Sequence, residues 1–254
     1  MNELFFSEHM IFMGSKKYPL ENELDEFITK NGGNSNAWTE NEYTAFYFEI
    51  VERSLVQAID IFSQLFVSPL ILKNSMQKEI EAVESEFQNT INDDGTRIYQ
   101  LLASLANENH PASTFSWGNL SSLQTDLDND KLHQQLHDFR KLHYVSENIY
   151  LCIESRLELD QLQEIVESHF SEIKRGNEIV IKESSITDGW TKVFKTEFYD
   201  KIFYVKPKAD KCKMFLSFPM QSLQKEYRTK PHDYLGSLIE DEGVGSLSSY
   251  LRKK

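Results

Sequence analysis

The sequence predicts an α+β fold, a two-layer sandwich in which a mostly antiparallel sheet packs against helices. Several segments carry apolar residues at helical spacing, and a few shorter ones alternate apolar and polar residues as half-buried strands do. The two kinds of segment do not follow each other as a regular βαβ series would, which argues against a parallel sheet. At 254 residues the chain is long for one domain and short for two complete ones.

The first elements are predicted in order along the chain. LENELDEFITKNGG is typical of a helix with one apolar face that ends at its Gly-Gly pair. NAWT then leads into TAFYFEIVE, whose period of two indicates a strand. Ser54 is predicted to cap the next helix, which Pro69 stops, and Asn74 is predicted to cap a helix that runs through Gln88.

Later elements are less regular. Further helices are predicted near residues 97–108, 131–142, 159–173 and 234–239. Two segments, IYLCIES and KMFLSFPM, predict short strands. The polar stretch 175–196 predicts a linker. We therefore expect one domain over residues 1–178 and the incomplete beginning of a second domain over residues 179–254.

Composition and charge exclude several classes of function. The net charge of −13 argues against nucleic-acid binding, which needs a clustered basic surface, and it favours basic partners. No segment approaches the roughly 18 apolar residues of a membrane span. The two cysteines lie far apart, and the N-terminus lacks the basic region of a signal peptide. We therefore expect a cytoplasmic protein with no membrane partner.

The segment FFSEHMIFMG places Glu8 directly before His9, as in the inverted zinc-binding motif His-x-x-Glu-His. On a helix, positions i and i+4 share a face, so that motif offers two imidazoles to one metal ion. Here Phe5 stands where the first histidine belongs. Catalytic zinc sites use three protein ligands, and adjacent Glu and His residues also occur on ordinary surface helices. The pair alone therefore identifies no function.

A helix further along the chain adds two carboxylates. In KEIEAVESEF, Glu79 and Glu86 are seven residues apart, so they project within about 20° of each other on an α-helix. One interpretation is a shifted helix on which both glutamates are solvated. The other is that Glu86 is a metal ligand and that Glu79 supports the site from behind.

These segments, with the run from FFSEHMIFMG to TAFYFEI, resemble the pitrilysin and insulin-degrading-enzyme family of inverted-zincin metallopeptidases. HPASTFSWGN, HDFRKLHYVSENIYLCI and PHDYLGSLIEDEGVGSLSSYLRKK match further landmarks of that family in order, over nearly the whole chain. FSWGN, VESEF and LRKK favour the nardilysin branch. The resemblance implies a metallopeptidase-type fold, with zinc as the cofactor. Because family enzymes have strands before this region and a C-terminal half after it, the chain is expected to be truncated at both ends.

Carried over residue by residue, the resemblance implies roles for the polar residues of both segments. Glu8 would be the general base, and His9 and Glu86 would be zinc ligands. Glu79 would be the supporting carboxylate. Phe5 departs from the family pattern, because a phenyl ring cannot coordinate zinc.

The resemblance also implies a substrate-binding edge. The strand around Asn36, Ala37 and Trp38 would be the edge on which a peptide is laid as an additional strand. Peptides, and in the nardilysin branch basic peptides, would be the partners. Pairing of this chain with a complete family member is a further expectation.

Two functional hypotheses follow. The first is a zinc metalloendopeptidase of the nardilysin and insulin-degrading-enzyme type, which hydrolyses short basic peptides with a zinc-activated water. The second is a catalytically inactive relative that acts as a peptide-binding or partner-binding module, because His9 and Glu86 without a histidine at position 5 are too few ligands. We expect this chain, as written, to be inactive.

His133 and His137 in KLHQQLHDF are also four residues apart, a spacing compatible with zinc. No glutamate lies between them where the metallopeptidase motif needs one, and Leu132, Leu136 and Phe139 mark a buried stripe beside them. From the sequence we favour a half-solvated helix flank over a metal site for this pair.

Overall fold

The structure, a computed structural model, describes residues 2–108, 110–124, 129–176, 193–210, 212–220 and 223–253. The chain divides into two compact units, the first within Met1–Glu183 and Phe194–Cys212 and the second within Ser184–Val193 and Lys213–Lys254. The predicted boundary after residue 178 and most of the predicted linker lie outside the described residues. The predicted division into domains therefore stays a prediction.

Helices and an antiparallel strand pair make up the regular structure of the described residues. The helices of the first unit are α1 (Asn2–Ile11), α2 (Glu23–Lys30), α3 (Leu55–Val67), α4 (Lys73–Thr90), α5 (Asp94–Leu105), α6 (Leu120–Gln124), α7 (Asn129–His143) and α8 (Leu159–Phe170). Its strands are β1 (Asn34–Thr39) and β2 (Thr44–Glu49), paired from Asn34 opposite Glu49 to Thr39 opposite Thr44. The second unit contains α9 (Pro231–Glu240) and α10 (Leu247–Arg252). The predicted α+β class is confirmed, and no helix of the described residues is long and apolar enough to cross a membrane.

Helix α1 lies between two apolar clusters. On one side Phe6 and Met10 pack with residues of α4 and α7, and on the other side Ile11 packs with residues of α2 and α3. All three side chains are completely buried. Burial of each such side chain stabilises the fold by about 1.5–3 kcal/mol. The helix is therefore held from both sides, which fixes the direction of the polar residues between these apolar ones.

The connection between α2 and β1 depends on glycine. A Cβ atom at Gly33 would lie 2.0 Å from the carbonyl oxygen of Glu49 on the neighbouring strand, so only glycine permits this close approach. Gly32 has a φ of +74°, the left-handed conformation that follows many helices. The predicted Gly-Gly helix end is confirmed, and it sets where β1 begins.

Two predicted helix caps are wrong. Ser54 precedes α3, but its hydroxyl donates to the side-chain oxygen of Asn31 at 2.9 Å and accepts nothing from the helix. Asn74 lies inside the first turn of α4, which no side chain caps. The approach of the chain to α4 is fixed by a tertiary contact instead, because the carbonyl oxygen of Ile71 lies 2.8 Å from His133 Nε2 on α7.

The segments IYLCIES and KMFLSFPM are not strands in the structure, contrary to the prediction. Alternating apolar residues form a strand only where a neighbouring strand supplies the hydrogen bonds of a ladder. Within the described residues, neither segment has such a neighbour. Apolar side chains of these segments are correspondingly exposed, Tyr150 by 89% and Met214 by 83%.

Candidate functional site

A cavity of about 730 Å³ opens in the first unit between α1, β1, α4 and α5. Seven of the eight residues predicted for the site line it. They are Phe5, Glu8 and His9 of α1, Asn36, Ala37 and Trp38 of β1, and Glu86 of α4. The eighth, Glu79, is buried behind His9. The structure thus brings together residues that are up to 81 positions apart (86 − 5) in the sequence.

Helix α1 places Phe5 and His9 one turn apart on the wall of this cavity. Their ring centroids are 5.1 Å apart, with the planes inclined by 56°. Phe5 is only 8% exposed, because it also belongs to the apolar cluster that α1 shares with α4 and α7. The position that carries the first histidine of the zinc motif therefore holds a packed aromatic ring.

Helix α4 supplies a carboxylate to each ring nitrogen of His9. Oε2 of Glu79 lies 3.4 Å from Nδ1, and Oε2 of Glu86 lies 3.8 Å from Nε2. Burial alone would lower the pKa of His9, but the bond to Glu79 and the charges of Glu8 and Glu86 outweigh it and raise the pKa above its ordinary value. The carboxylates therefore stabilise the protonated imidazole more than water would.

Glu8 is oriented by the neighbouring strand. The Thr39 hydroxyl donates a short hydrogen bond to the Glu8 carboxylate. Burial raises the pKa of Glu8, and the bond from Thr39 opposes this effect without cancelling it. A raised pKa makes a carboxylate a stronger base, which is the property that a general base near neutral pH needs.

Two contacts in the cavity were missed by the sequence analysis. One is Thr39. Because residues two apart on a strand point to the same face, Thr39 could have been predicted to lie on the same face of β1 as Ala37, towards α1. The other is Trp117, whose Nε1 donates to Oε1 of Glu86 at 3.2 Å. Trp117 lies in the quoted FSWGN segment, but nothing in the sequence shows that its ring reaches a residue 31 positions earlier.

The outer edge of β1 is open along the cavity. Glu40 N–H donates to the Tyr43 carbonyl across the turn to β2. Since residues alternate along an antiparallel pair, the backbone groups of Ala37 face away from β2. The Ala37 N–H is held by the side-chain oxygen of Asn36 at 2.9 Å. Within the described residues, β2 is the only strand that pairs with β1.

The donors of the cavity do not complete a catalytic zinc centre. His9 Nε2 and the Glu86 carboxylate face each other as two donors, and the ring of Phe5 takes the third position. Catalytic zinc uses three protein ligands and an open fourth position. Among the described residues, no group of three or more His, Cys, Asp or Glu side chains is arranged to hold a metal ion. The residues present therefore do not fit the zinc that the sequence resemblance implies.

Two protein-family models match the chain. The model described as "Insulinase (Peptidase family M16)" matches residues 5–112, and the model described as "Peptidase M16 inactive domain" matches residues 131–254. The first match includes every residue predicted for the site. Together the two matches cover most of the sequence.

Individual proteins and a solved structure are similar over nearly the whole chain. Over 251 residues, the chain is 36% identical to nardilysin of Rattus norvegicus, 37% to the A-factor-processing enzyme of Saccharomyces cerevisiae and 35% to insulin-degrading enzyme of Homo sapiens. These alignments cover 98% of the chain, but 21% of nardilysin and 24% of the other two proteins. The crystal structure of pitrilysin aligns with a TM-score of 0.71 at 26% identity, covering 98% of this chain and 26% of that one.

The chain thus spans a quarter or less of the length of these curated relatives. Within that span, both family models and the structural similarity to pitrilysin indicate the same family. The chain belongs to the insulinase family of peptidases, family M16.

Proposed function

We propose that this protein binds peptides in extended form along β1. We further propose that it does not hydrolyse them, because Phe5 stands where the zinc motif has its first histidine. One observation carries the proposal. The ring of Phe5 packs 5.1 Å from His9, on the wall where the family motif has its first histidine. A cleft that keeps its substrate edge but lacks one of three metal donors can bind a peptide without cleaving it.

The open edge of β1 supports the peptide-binding part of this proposal. An extended peptide gains main-chain hydrogen bonds when it adds itself to an exposed strand. The Ala37 N–H faces outward, where it donates to the side-chain oxygen of Asn36. A peptide that displaces this side chain would lie beside Glu8, which contacts the same strand through Thr39.

The charge of the cavity supports basic peptides as the ligands. Among the described residues that line it, three are glutamates, Glu8, Glu40 and Glu86, and none is a lysine or an arginine. Aromatic rings of Trp38 and Trp117 stand beside these carboxylates. Carboxylates attract cationic side chains, and an aromatic face adds a cation–π contact of about 0.5–2 kcal/mol.

A zinc metalloendopeptidase is the second candidate. It is favoured by the arrangement of Glu8, His9 and Glu86 in the order of the family motif, with Glu79 behind His9. Glu8 is placed to take a proton from a nucleophile in the cavity. This candidate requires a third metal donor, which would have to come from outside the described residues.

Peptide binding by the purified chain tests the first proposal. We expect a fluorescently labelled basic peptide to bind more tightly than the same peptide with acidic residues, and to remain intact when zinc is added. Ala37→Pro removes the outward N–H, and an edge strand tolerates proline where the N–H faces outward. This variant should fold and bind the peptide about tenfold more weakly or worse.

Ser35→Pro provides the matched control, because Ser35 lies two residues before Ala37 on β1 but does not line the cavity. It should change peptide affinity much less than Ala37→Pro does. Equal peptide affinity for the wild type and Ala37→Pro would contradict binding along β1. Cleavage of the peptide by the wild-type chain would favour the second candidate.

A further inference from the structure

Two histidines of α7 meet outside the cleft. His133 and His137 are one turn apart, both half-buried, and their Nε2 atoms lie 3.2 Å from each other. The two rings stand edge to face, with centroids 4.5 Å apart and planes inclined by 88°. The two Nε2 atoms therefore lie close together at the flank of the helix.

A backbone oxygen lies beside one of these nitrogens. The carbonyl oxygen of Ile71 lies 2.8 Å from His133 Nε2. Ile71 is completely buried and has a φ of +46°, a left-handed conformation that is strained for a β-branched residue. Its carbonyl is thus held towards His133 by the packing around it. Without an ion, His133 Nε2–H donates to this oxygen.

We propose that His133 Nε2, His137 Nε2 and the Ile71 carbonyl oxygen form a binding site for a divalent transition-metal ion, separate from the cleft. Two donors that each lie about 2.1 Å from one ion, at tetrahedral or right angles, are about 3.0–3.4 Å apart. The observed separations of 3.2 and 2.8 Å are close to this range. Both histidines bind through Nε2, so a neutral His133 only moves its proton to Nδ1.

The donor set indicates which ions the site takes. Imidazole nitrogens favour copper, nickel and zinc over calcium and magnesium, and among these ions affinity is highest for Cu²⁺. The neighbouring charged side chains are engaged elsewhere. Asp130 pairs with Lys73, and the Arg140 guanidinium donates to the carbonyls of Phe66 and Val67 at 3.1 Å each. Water would supply the remaining positions around the ion.

Binding at this site would join α7 to the segment that precedes α4. Ile71 lies just before α4, and the histidines lie on α7, which packs against α4 in the apolar cluster around Met76 and Leu136. An ion that binds only the folded chain raises its stability according to its concentration relative to its dissociation constant. We therefore expect Cu²⁺ or Ni²⁺ to raise the melting temperature.

The test uses the untagged chain, stripped of metal with EDTA and titrated with Cu²⁺. Calorimetry measures the affinity, and electron paramagnetic resonance reports how many nitrogens bind the ion. We expect a two-nitrogen signal in the wild type. In His137→Gln the signal should show one nitrogen, with affinity lower by about tenfold or more, as loss of a direct ligand should cost at least what loss of a supporting group costs.

Two histidine variants are the controls. His9→Gln removes the histidine of the cleft, and His232→Gln removes an exposed histidine of the second unit. Both should keep the wild-type affinity and the two-nitrogen signal. Circular dichroism and the melting temperature in EDTA establish that His137→Gln is folded. Wild-type affinity in His137→Gln, or loss of the signal in His9→Gln, would overturn the proposal.

Discussion

Two pairs of aromatic side chains, each one helical turn apart, can be compared in this molecule. On α1 the pair is Phe5 and His9, and on α7 it is His133 and His137. The first pair has one imidazole and lies in a cleft with three glutamates. The second has two imidazoles with neighbouring Nε2 atoms, and the Nε2 of His133 also contacts a backbone oxygen. Part of the sequence motif for a metal thus occurs at the first pair, whereas the metal site that we propose lies at the second.

The difference shows that the spacing of two residues along a helix determines only part of a metal site. Both helices pack against α4 in one apolar cluster. That helix brings Glu79 and Glu86 to His9, and the residue just before it, Ile71, brings its carbonyl to His133. The same neighbouring element therefore provides the group that decides what each pair can do. At the first pair, Phe5 places a packed aromatic ring where the family motif has its first histidine.

The comparison requires that α7 be held as firmly as α1, and Tyr144, which directly follows α7, tests this. Burial raises the pKa of its phenol from 10.0 to about 12. The neutral phenol is thus favoured in the folded chain, so its contribution to stability is complete below about pH 10 and is lost as the pH rises towards 12. The folded chain therefore binds this phenol proton about 100-fold more tightly than a solvated tyrosine does.

The measurement is the ultraviolet absorbance change of phenolate formation in the wild type and in Tyr144→Phe. The difference between the two titrations isolates Tyr144, and we expect its midpoint near the raised value. A midpoint at the ordinary value of a solvated tyrosine would mean that the end of α7 is loosely packed. The two helices would then differ in how firmly they are held, and the two residue pairs could not be compared on equal terms.

The role of α4 at the first pair is tested by Glu79→Gln in a Phe5→His background. Glu79 approaches His9 Nδ1 and is nearly buried, so it fixes the orientation of the ring. Loss of such a supporting carboxylate should weaken zinc binding by about 10- to 100-fold. Glu81→Gln, on the exposed face of the same helix, is the matched control and should have no effect. Equal losses in both variants would indicate a general effect of charge.

A smaller effect is expected for Trp117→Phe in the same background. The change keeps an aromatic ring and removes the N–H that donates to Glu86. The Glu86 side chain is 45% exposed, so water can replace part of the lost bond. We expect zinc affinity to fall about fivefold, the equivalent of a typical hydrogen bond, measured by competition with a chelating dye. A loss as large as that of Glu79→Gln would mean that Trp117 positions the carboxylate more strictly than this exposure implies.

Much of the local structure could be predicted from the sequence. The apolar face and glycines of α2, the alternation of β2 and the spacing of Glu79 and Glu86 on α4 are local patterns, and the structure has each element. The meeting of α1, β1 and α4 at one cavity followed from the family resemblance. Composition and periodicity alone did not predict it.

The failures of prediction have a common physical cause, which is dependence on distant partners. IYLCIES and KMFLSFPM have strand patterns, but a strand needs a neighbour. Asn74 has the chemistry of a cap, but the contact between His133 and Ile71 sets the approach to α4. From the sequence, we favour a half-solvated helix flank for His133 and His137. The contact of His133 with the Ile71 carbonyl is what makes this pair a candidate metal site. No local pattern reports which backbone oxygen a side chain will meet.

The most direct test of the central claim, that Phe5 prevents the cleft from holding zinc, is the zinc content of the wild type and of Phe5→His, measured side by side. Both are dialysed against a weak chelator before elemental analysis, with Phe5→Leu as the apolar control. The account predicts little zinc in the wild type and in Phe5→Leu, and about one ion per chain in Phe5→His, where three ligands are present. About one zinc ion per wild-type chain that is lost in His9→Gln would contradict it.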